Sequence, residues 1–205
     1  MKIFLRSIIA IILIQTISVS AKSQNKDYVI TNKGDTLYCI ITFPLFSKYG
    51  KYQTADATET KQIKLHEIKQ FYSAKKKSVM RRIYRRLEDE GSAEFMQLVE
   101  QGEINLLQEV TTTYNAYSGI STSTTQWYVS KWSDNVVVIK TSGLSIFFKS
   151  RQSRKNDFAD LLMDKKEVYD KFIKDNKFSF SDIQNIVHLY NTGEELKKEP
   201  EQSQL

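Results

Sequence analysis

The chain has 205 residues, a net charge of +6, seven glycines, two histidines and one cysteine. One cysteine excludes an internal disulfide framework, two histidines are too few for the usual three- or four-ligand zinc site, and the scattered glycines form no phosphate-binding loop. The sequence therefore predicts no cofactor and no metal site, and the chain is long enough to bury a core of its own.

The N-terminus has the pattern of an export signal. In order, it contains the basic residues Lys2 and Arg6, the apolar run Ile8 to Ile14, and the small residues Val19 and Ala21. This order predicts a secretory signal peptide over residues 1–21, with cleavage after Ser23 as the alternative. A membrane anchor needs roughly 20 mainly apolar residues, and Gln15 interrupts this run after about half that length. Cleavage would lower the net charge from +6 to +4, because both basic residues are lost.

Residues 27–150 are predicted to form the β-rich part of a single domain. The predicted strands are Tyr28 to Thr31, Leu37 to Phe43, Ile63 with Leu65, Ile68 to Tyr72, 79–87, Ile104 to Thr112, Trp127 to Lys131, Val136 to Lys140 and Leu144 to Phe148. The polar turn at 32–35 contains Gly34 and predicts a hairpin between the first two strands. The segment 79–87 also has helical spacing, and we favour a strand there. Residues 93–101 end at Gly102 and predict an inserted helix, and Thr113 to Thr125 predict a mobile loop.

The lone Cys39 lies within the second predicted strand. Strand alternation places it on the same face as Leu37, Ile41 and Phe43. Free cysteine is among the most buried residue types, so we expect Cys39 to belong to the core.

Residues 151–193 are predicted to form about three C-terminal helices. Asp164 with Glu167, and Ser181 with Gln184, have the spacing of capping boxes, and Gly193 is a natural helix end. The charged segment 194–205 predicts a disordered tail. The fold class is therefore α+β: an antiparallel, strongly curved sheet with one inserted helix and the C-terminal helices packed over one side or end.

Three motifs carry a resemblance to known proteins. They are Gly34-Asp35-Thr36 between two strands, the block from Phe95 through Gly102 to Leu106, and the closing segment Phe180 to Asn191, which ends in Tyr-Asn. Their order resembles a group of small exported proteins of unknown function common in Bacteroidetes. The chain departs from that group at Cys39-Ile40 and in its basic segment. The resemblance implies the periplasm or outer surface of a Gram-negative cell, and it implies no activity.

A basic segment is the main candidate for a site. It comprises Lys75, Lys76, Lys77, Arg81, Arg82, Arg85 and Arg86. Such a run could bind an anionic polymer such as lipopolysaccharide, whereas the acidic stretch 88–90 could neutralise half of it. The export signal argues against nucleic acid as the partner, and charge runs are most often solvated faces.

Aromatic residues near the Ser/Thr-rich stretch provide a second candidate surface, for carbohydrate or protein. They are Tyr114, Tyr117, Trp127, Tyr128 and Trp132. Trp127 and Trp132 fall on opposite faces of one strand, so at least one belongs to the core. We expect a non-enzymatic module of the cell envelope whose partner the sequence does not identify. The alternative is an envelope hydrolase, which would need a deep cleft with two converging acids of raised pKa.

Overall fold

A computed structural model describes residues 26–45, 49–85, 93–142 and 149–196. Over these residues the chain is an α+β protein with ten mostly antiparallel strands and three helices. It divides between Val79 and Met80 into two compact units. The predicted signal peptide over residues 1–21 and the predicted strand Leu144 to Phe148 lie outside the described residues.

The first unit contains five strands in the order β5-β1-β2-β3-β4. They are β1 (Tyr28–Thr31), β2 (Thr36–Thr42), β3 (Lys51–Thr54), β4 (Lys61–Gln62) and β5 (Ile68–Ser73). The predicted hairpin is confirmed, since β1 and β2 pair antiparallel and Gly34 adopts a φ of +94° in their turn. Strand β3 was missed by the sequence prediction. Ile63 lies beyond β4 and outside any strand, although it is fully buried.

Asp27, directly before β1, forms hydrogen bonds to the segments on both sides of that strand. One carboxylate oxygen accepts a hydrogen bond from the backbone N–H of Ile41 at 2.6 Å, and the other accepts from that of Ala74 at 2.7 Å. The two donors belong to β2 and to the residue after β5, so a single side chain joins the strands on both sides of β1. Val29 of β1, Ile41 of β2 and Phe71 of β5 are buried in the same three strands.

The second unit contains five strands in the order β10-β9-β8-β7-β6. They are β6 (Ser78–Tyr84), which crosses the division, β7 (Ala93–Glu100), β8 (Ile104–Asn115), β9 (Ile120–Lys131) and β10 (Val137–Thr141). Strand β6 confirms the strand interpretation of 79–87 as far as Tyr84; Arg85 lies beyond the strand, and residues 86 and 87 lie outside the described residues. The helix predicted for 93–101 is wrong. Phe95 and Met96 are adjacent and both buried, so β7 is covered on both faces and lacks the alternation that identifies a half-exposed strand.

The mobile loop predicted for Thr113 to Thr125 is also wrong. Strands β8 and β9 pair residue for residue from Ile104↔Lys131 to Asn115↔Ile120, which makes one long hairpin. Threonine is β-branched and favours strands, so a Thr-rich run outside the core can still be regular structure.

Backbone hydrogen bonds also join the end of β6 to the turn before β10. The N–H of Tyr84 donates to the carbonyl of Asp134 at 2.9 Å, and the N–H of Val136 donates to the carbonyl of Tyr84 at 3.2 Å. These bonds link the first and last strands in the order of this unit.

Three helices follow the sheet, as predicted. They are α1 (Arg151–Asp160), α2 (Lys166–Asp175) and α3 (Phe180–Thr192). Both predicted capping boxes are misplaced: Ser179 and Asp182 form the box of α3, and α2 begins after Lys165 without a side-chain cap. Gly193 ends α3 with a φ of +80°, as predicted.

The helices bury an aromatic core against β8, β9 and β10. Phe158 packs on Phe172 with ring centroids 5.2 Å apart, and Trp127 of β9 meets Phe180 at 4.7 Å. At the C-terminus, the backbone N–H of Leu196 donates to Asn185 Oδ1, so the first residues of the predicted tail return to α3; residues 197–205 lie outside the description. No helix in the described part of the chain has the length and apolar character needed to cross a membrane.

The end of α3 is bonded to the turn between β7 and β8. The side-chain amide of Asn191 donates to the carbonyl of Ile104 at 2.8 Å and accepts from its N–H at 3.1 Å. A Cβ added to Gly102 would lie 2.2 Å from Asn191 Cγ. Only glycine at position 102 therefore leaves room for the amide.

We expect Gly102→Ala to destabilise the protein by about 1–3 kcal/mol, because the methyl group displaces the amide and breaks both hydrogen bonds. Asn191→Ala should cost a similar amount. The double variant should cost clearly less than the two single costs added together, since the methyl group then has space. Urea unfolding of the four proteins measures this, and simple additivity would contradict the steric explanation.

Candidate functional site

A polar cluster surrounds Tyr190 on α3. The hydroxyl of this buried residue lies 2.9 Å from Glu103 Oε1 and 2.8 Å from Asp164 Oδ2. Lys131 binds Asp164 at 2.7 Å, and Lys165 donates to the backbone carbonyl of Tyr190 at 2.7 Å. We call these five residues the Tyr190 cluster. Its two carboxylates and two ammonium groups balance in charge.

The pKa values in this cluster do not suit acid catalysis. The hydrogen bond from Tyr190 lowers the pKa of Glu103, and the hydrogen bond from Lys131 lowers that of Asp164. Burial, followed by the two carboxylates, raises the pKa of the Tyr190 hydroxyl. Both acids are therefore ionised near neutral pH, whereas a hydrolase of the predicted kind needs one acid that stays protonated. The cluster joins α3 to the turns beside it, and this structural role accounts for its contacts.

The arginines of the predicted basic segment are engaged within the second unit. Arg81 pairs with Asp134 at 2.9 Å, and the Arg82 guanidinium lies 5.4 Å from the centre of the Tyr84 ring. Arg85 binds Glu94, Glu109 and Tyr128. Arg86 lies outside the described residues.

Arg85 is the centre of a second polar network. Its guanidinium donates to Tyr128 Oη at 2.6 Å, pairs with Glu109 at 2.7 Å and also binds Glu94. Burial opposes the charge, but these hydrogen bonds outweigh it and raise the pKa of Arg85. Burial also raises the pKa of Tyr128 to about 12. Two carboxylates compensate one guanidinium here, so little of its charge is left for an external anion.

Within the described part of the basic segment three consecutive lysines have exposed side chains, as does Arg85, whose charge Glu94 and Glu109 compensate. Lys75, Lys76 and Lys77 occupy the turn that follows β5, and Lys76 Nζ lies 3.7 Å from the centre of the Phe43 ring. The prediction of anion binding therefore depends on these lysines more than on the arginines.

The histidines and the cysteine form no reactive group with one another. His66 is exposed beside Glu67, His188 pairs with Glu100 at 2.9 Å, and no group of three potential ligands occurs among the described residues. The prediction that Cys39 belongs to the core is wrong, since its side chain is only half-buried. The face that it shares with Leu37 is not fully covered, because Leu37 is itself 37% exposed. Burial, with the Asp27 charge second, raises the pKa of the Cys39 thiol to about 11. The Cys39 side chain lines an open groove of about 660 Å³.

The predicted aromatic residues separate into three places. Trp127 and Tyr128 are buried in β9. Trp132 lies just after β9 with a φ of +61° and donates its indole N–H to Glu103 at 3.2 Å. Tyr114 and Tyr117 lie on the far end of the long hairpin. They do not form one surface, so the predicted carbohydrate face is not assembled as a unit.

The far end of the hairpin is the most distinctive surface of the second unit. We call residues 110–125, from Val110 to Thr125, the arm. No charged residue occurs in it, although 26% of the whole chain is charged. Its exposed large side chains are Val110 at 53%, Tyr114 at 64%, Ile120 at 60% and Tyr117, which is fully exposed.

The arm is ordered by its own hydrogen bonds. Asn115 Oδ1 accepts from the N–H groups of Tyr117 and Ser118, Gly119 closes the turn with a φ of +67°, and the Thr112 and Ser123 hydroxyls lie 2.9 Å apart. In the described ranges, β7 pairs with β8 only up to Gln108, and β10 reaches Gln126 of β9, with Ser142 bonding Thr125. Beyond these points the arm is a two-stranded ribbon.

Comparison with protein-family models, with curated proteins and with solved structures finds no match for this chain. The resemblance to exported Bacteroidetes proteins therefore stays a prediction.

The raised pKa predicts that Cys39 reacts slowly. At pH 8 a pKa of about 11 in place of the ordinary 9.0 makes the thiolate fraction roughly 100-fold smaller. We expect alkylation by iodoacetamide to be slower by about that factor than in the urea-unfolded chain. The matched control is Ile40→Cys in a Cys39→Ser background, since Ile40 is 70% exposed. Equal rates for the two positions would contradict the prediction.

The Tyr190 cluster predicts a specific acid dependence. Because the folded-state pKa values of Glu103 and Asp164 are lowered, their stabilisation is complete above the ordinary values of 4.5 for Glu103 and 3.8 for Asp164, and it is lost as the pH falls through the lower folded values. Tyr190→Phe removes the main cause for Glu103, so its urea midpoint should fall less steeply between pH 5 and pH 3 than that of the natural chain. Tyr117→Phe, whose hydroxyl is solvent-exposed, serves as the control. An unchanged slope in Tyr190→Phe would refute this account.

Proposed function

We propose that this chain is an exported, non-enzymatic binding module that contacts a polypeptide partner through the arm. The observation that supports it best is the arm itself, which exposes four large side chains and carries no charge. An isolated two-stranded hairpin is marginally stable in water, so a ribbon that projects past its sheet gains from being covered.

The signal-peptide pattern supports the envelope as compartment, and the resemblance favours the periplasm or outer surface of a Gram-negative bacterium. The strong curvature expected of the sheet is part of the same proposal. The bonds that join Tyr84 to Asp134 and Val136 support it, because they connect β6 to the turn before β10, at the other end of the strand order of the second unit. A curved sheet capped by helices would leave the arm as its projecting part.

The alternative functions have less support. A hydrolase needs an acid with a raised pKa, and the two converging acids of the Tyr190 cluster have lowered ones. An anionic-polymer binder would use Lys75, Lys76 and Lys77, which are exposed but form only a short turn. The arm is longer, carries no charge and exposes four large side chains.

Photo-crosslinking tests the proposal. A benzophenone amino acid in place of Tyr117, in the host that produces the chain, should give protein adducts that mass spectrometry can identify. The same group in place of Met163, which is 63% exposed near the end of α1, should give few. Adding Tyr114→Lys and Ile120→Lys should abolish the adducts from position 117. Adducts of equal yield at positions 117 and 163 would refute a role for the arm.

A further inference from the structure

We infer that the arm pairs with the arm of a second copy of this chain, through antiparallel pairing of the two β8 edges about Thr112. This inference rests on the proposed function and names its partner. It follows from the edge, the order of side chains along it and the distribution of charge.

The outer edge of β8 is suited to accepting a strand. In the described part of the chain only β9 pairs with β8 from Val110 to Asn115, so the backbone groups on the other side have no strand partner. Natural edge strands are usually protected by charged side chains, proline or bulges. This stretch contains no charge and no proline, and its pairing with β9 shows no register shift.

Side-chain order selects one register. Side chains at 110, 112 and 114 share one face, because successive residues of a strand alternate. A twofold axis through Thr112 sets Val110 opposite the partner's Tyr114, and the symmetry repeats this pair on the other side. Aromatic and β-branched residues are a favourable cross-strand pair. On the other face Thr111 would lie opposite the partner's Thr113.

Neighbouring registers lose these contacts. An axis through Thr111 or Thr113 places Val110 opposite a threonine or an alanine instead of tyrosine. The β9 edge offers less, since Ile120 is its one exposed large apolar residue. The β8 edge centred on Thr112 is therefore the pairing that covers two exposed apolar side chains from each copy.

Charge favours the same arrangement. The chain carries a net charge of +6, or +4 after signal cleavage, so two copies repel each other over most of their surfaces. The arm has no charge and is a place where two copies can meet without that repulsion. A different cationic partner would gain nothing from an uncharged edge, and an anionic one would be drawn to the lysines.

Disulfide trapping tests the register. In a Cys39→Ser background, Thr112→Cys places two thiols on the twofold axis, where directly opposed residues are about 4.5–5.5 Å apart. Mild oxidation should give a covalent dimer. Thr113→Cys is the matched control: its two copies are diagonal neighbours whose Cα atoms lie about 7–8 Å apart, beyond the roughly 7 Å that a disulfide can span. Equal crosslinking at both positions, or none at 112, would overturn the register.

Sedimentation equilibrium tests the association itself. We expect the natural chain to show a reversible monomer–dimer equilibrium, and Thr112→Lys to weaken it at least tenfold, because two ammonium groups meet on the axis. Thr122→Lys adds the same charge on β9 and should weaken it much less; circular dichroism checks that both variants fold. A monomeric natural chain overturns self-pairing. If position 117 then still crosslinks to another protein, the proposed function stands, whereas loss of those adducts as well rejects both.

Discussion

The hydrogen bonds from Asn191 to the backbone of Ile104 hold the second unit together at one point. Ile104 begins β8, which lies between β7 and β9, and Asn191 belongs to the last turn of α3. The amide satisfies a backbone donor and acceptor at the first residue of β8, which already pairs with β9, whereas the pairing of β8 with β7 starts only at Leu106. Buried backbone groups without partners are costly, so this contact fixes where α3 ends relative to the sheet strand beneath it. The contact requires glycine at position 102, since any side chain there would occupy the space of the Asn191 amide.

The polar residues beside this contact show why an acidic cluster is not by itself a catalytic site. Tyr190 is fully buried and its hydroxyl needs an acceptor; Glu103 and Asp164 supply two, and Lys131 and Lys165 then balance their charge. Each group is present because another would otherwise be unsatisfied or unpaired. The lowered pKa values of the two acids follow from this mutual satisfaction. Groups whose interactions are used in this way stabilise the fold, and they leave little capacity for a substrate.

The sequence predicts elements whose signals are local, and it misses those set by distant contacts. The β1–β2 hairpin and the three helices were predicted because turn residues, apolar stripes and Gly193 lie within a few residues of one another. Strand β7 was mistaken for a helix because its neighbours cover both of its faces, which no local pattern reveals. The Tyr190 cluster joins residues 87 positions apart. The motifs behind the family resemblance did include Gly102 and Tyr190-Asn191, so that signal was present in the sequence, but nothing in it showed that the two motifs meet.

The arm was mistaken for a loop because Ser and Thr are common in loops, yet polarity without charge has a different physical meaning. A polar, uncharged ribbon stays hydrated as a monomer, because water satisfies the outward N–H and C=O groups. Pairing exchanges those bonds for bonds between chains, and each exchange contributes only about 1 kcal/mol. A contact made of a few such hydrogen bonds and two apolar pairs buries a small surface area, comparable to that of transient interfaces. The arm is therefore suited to reversible association, and an obligate dimer would require a larger apolar face than the arm provides.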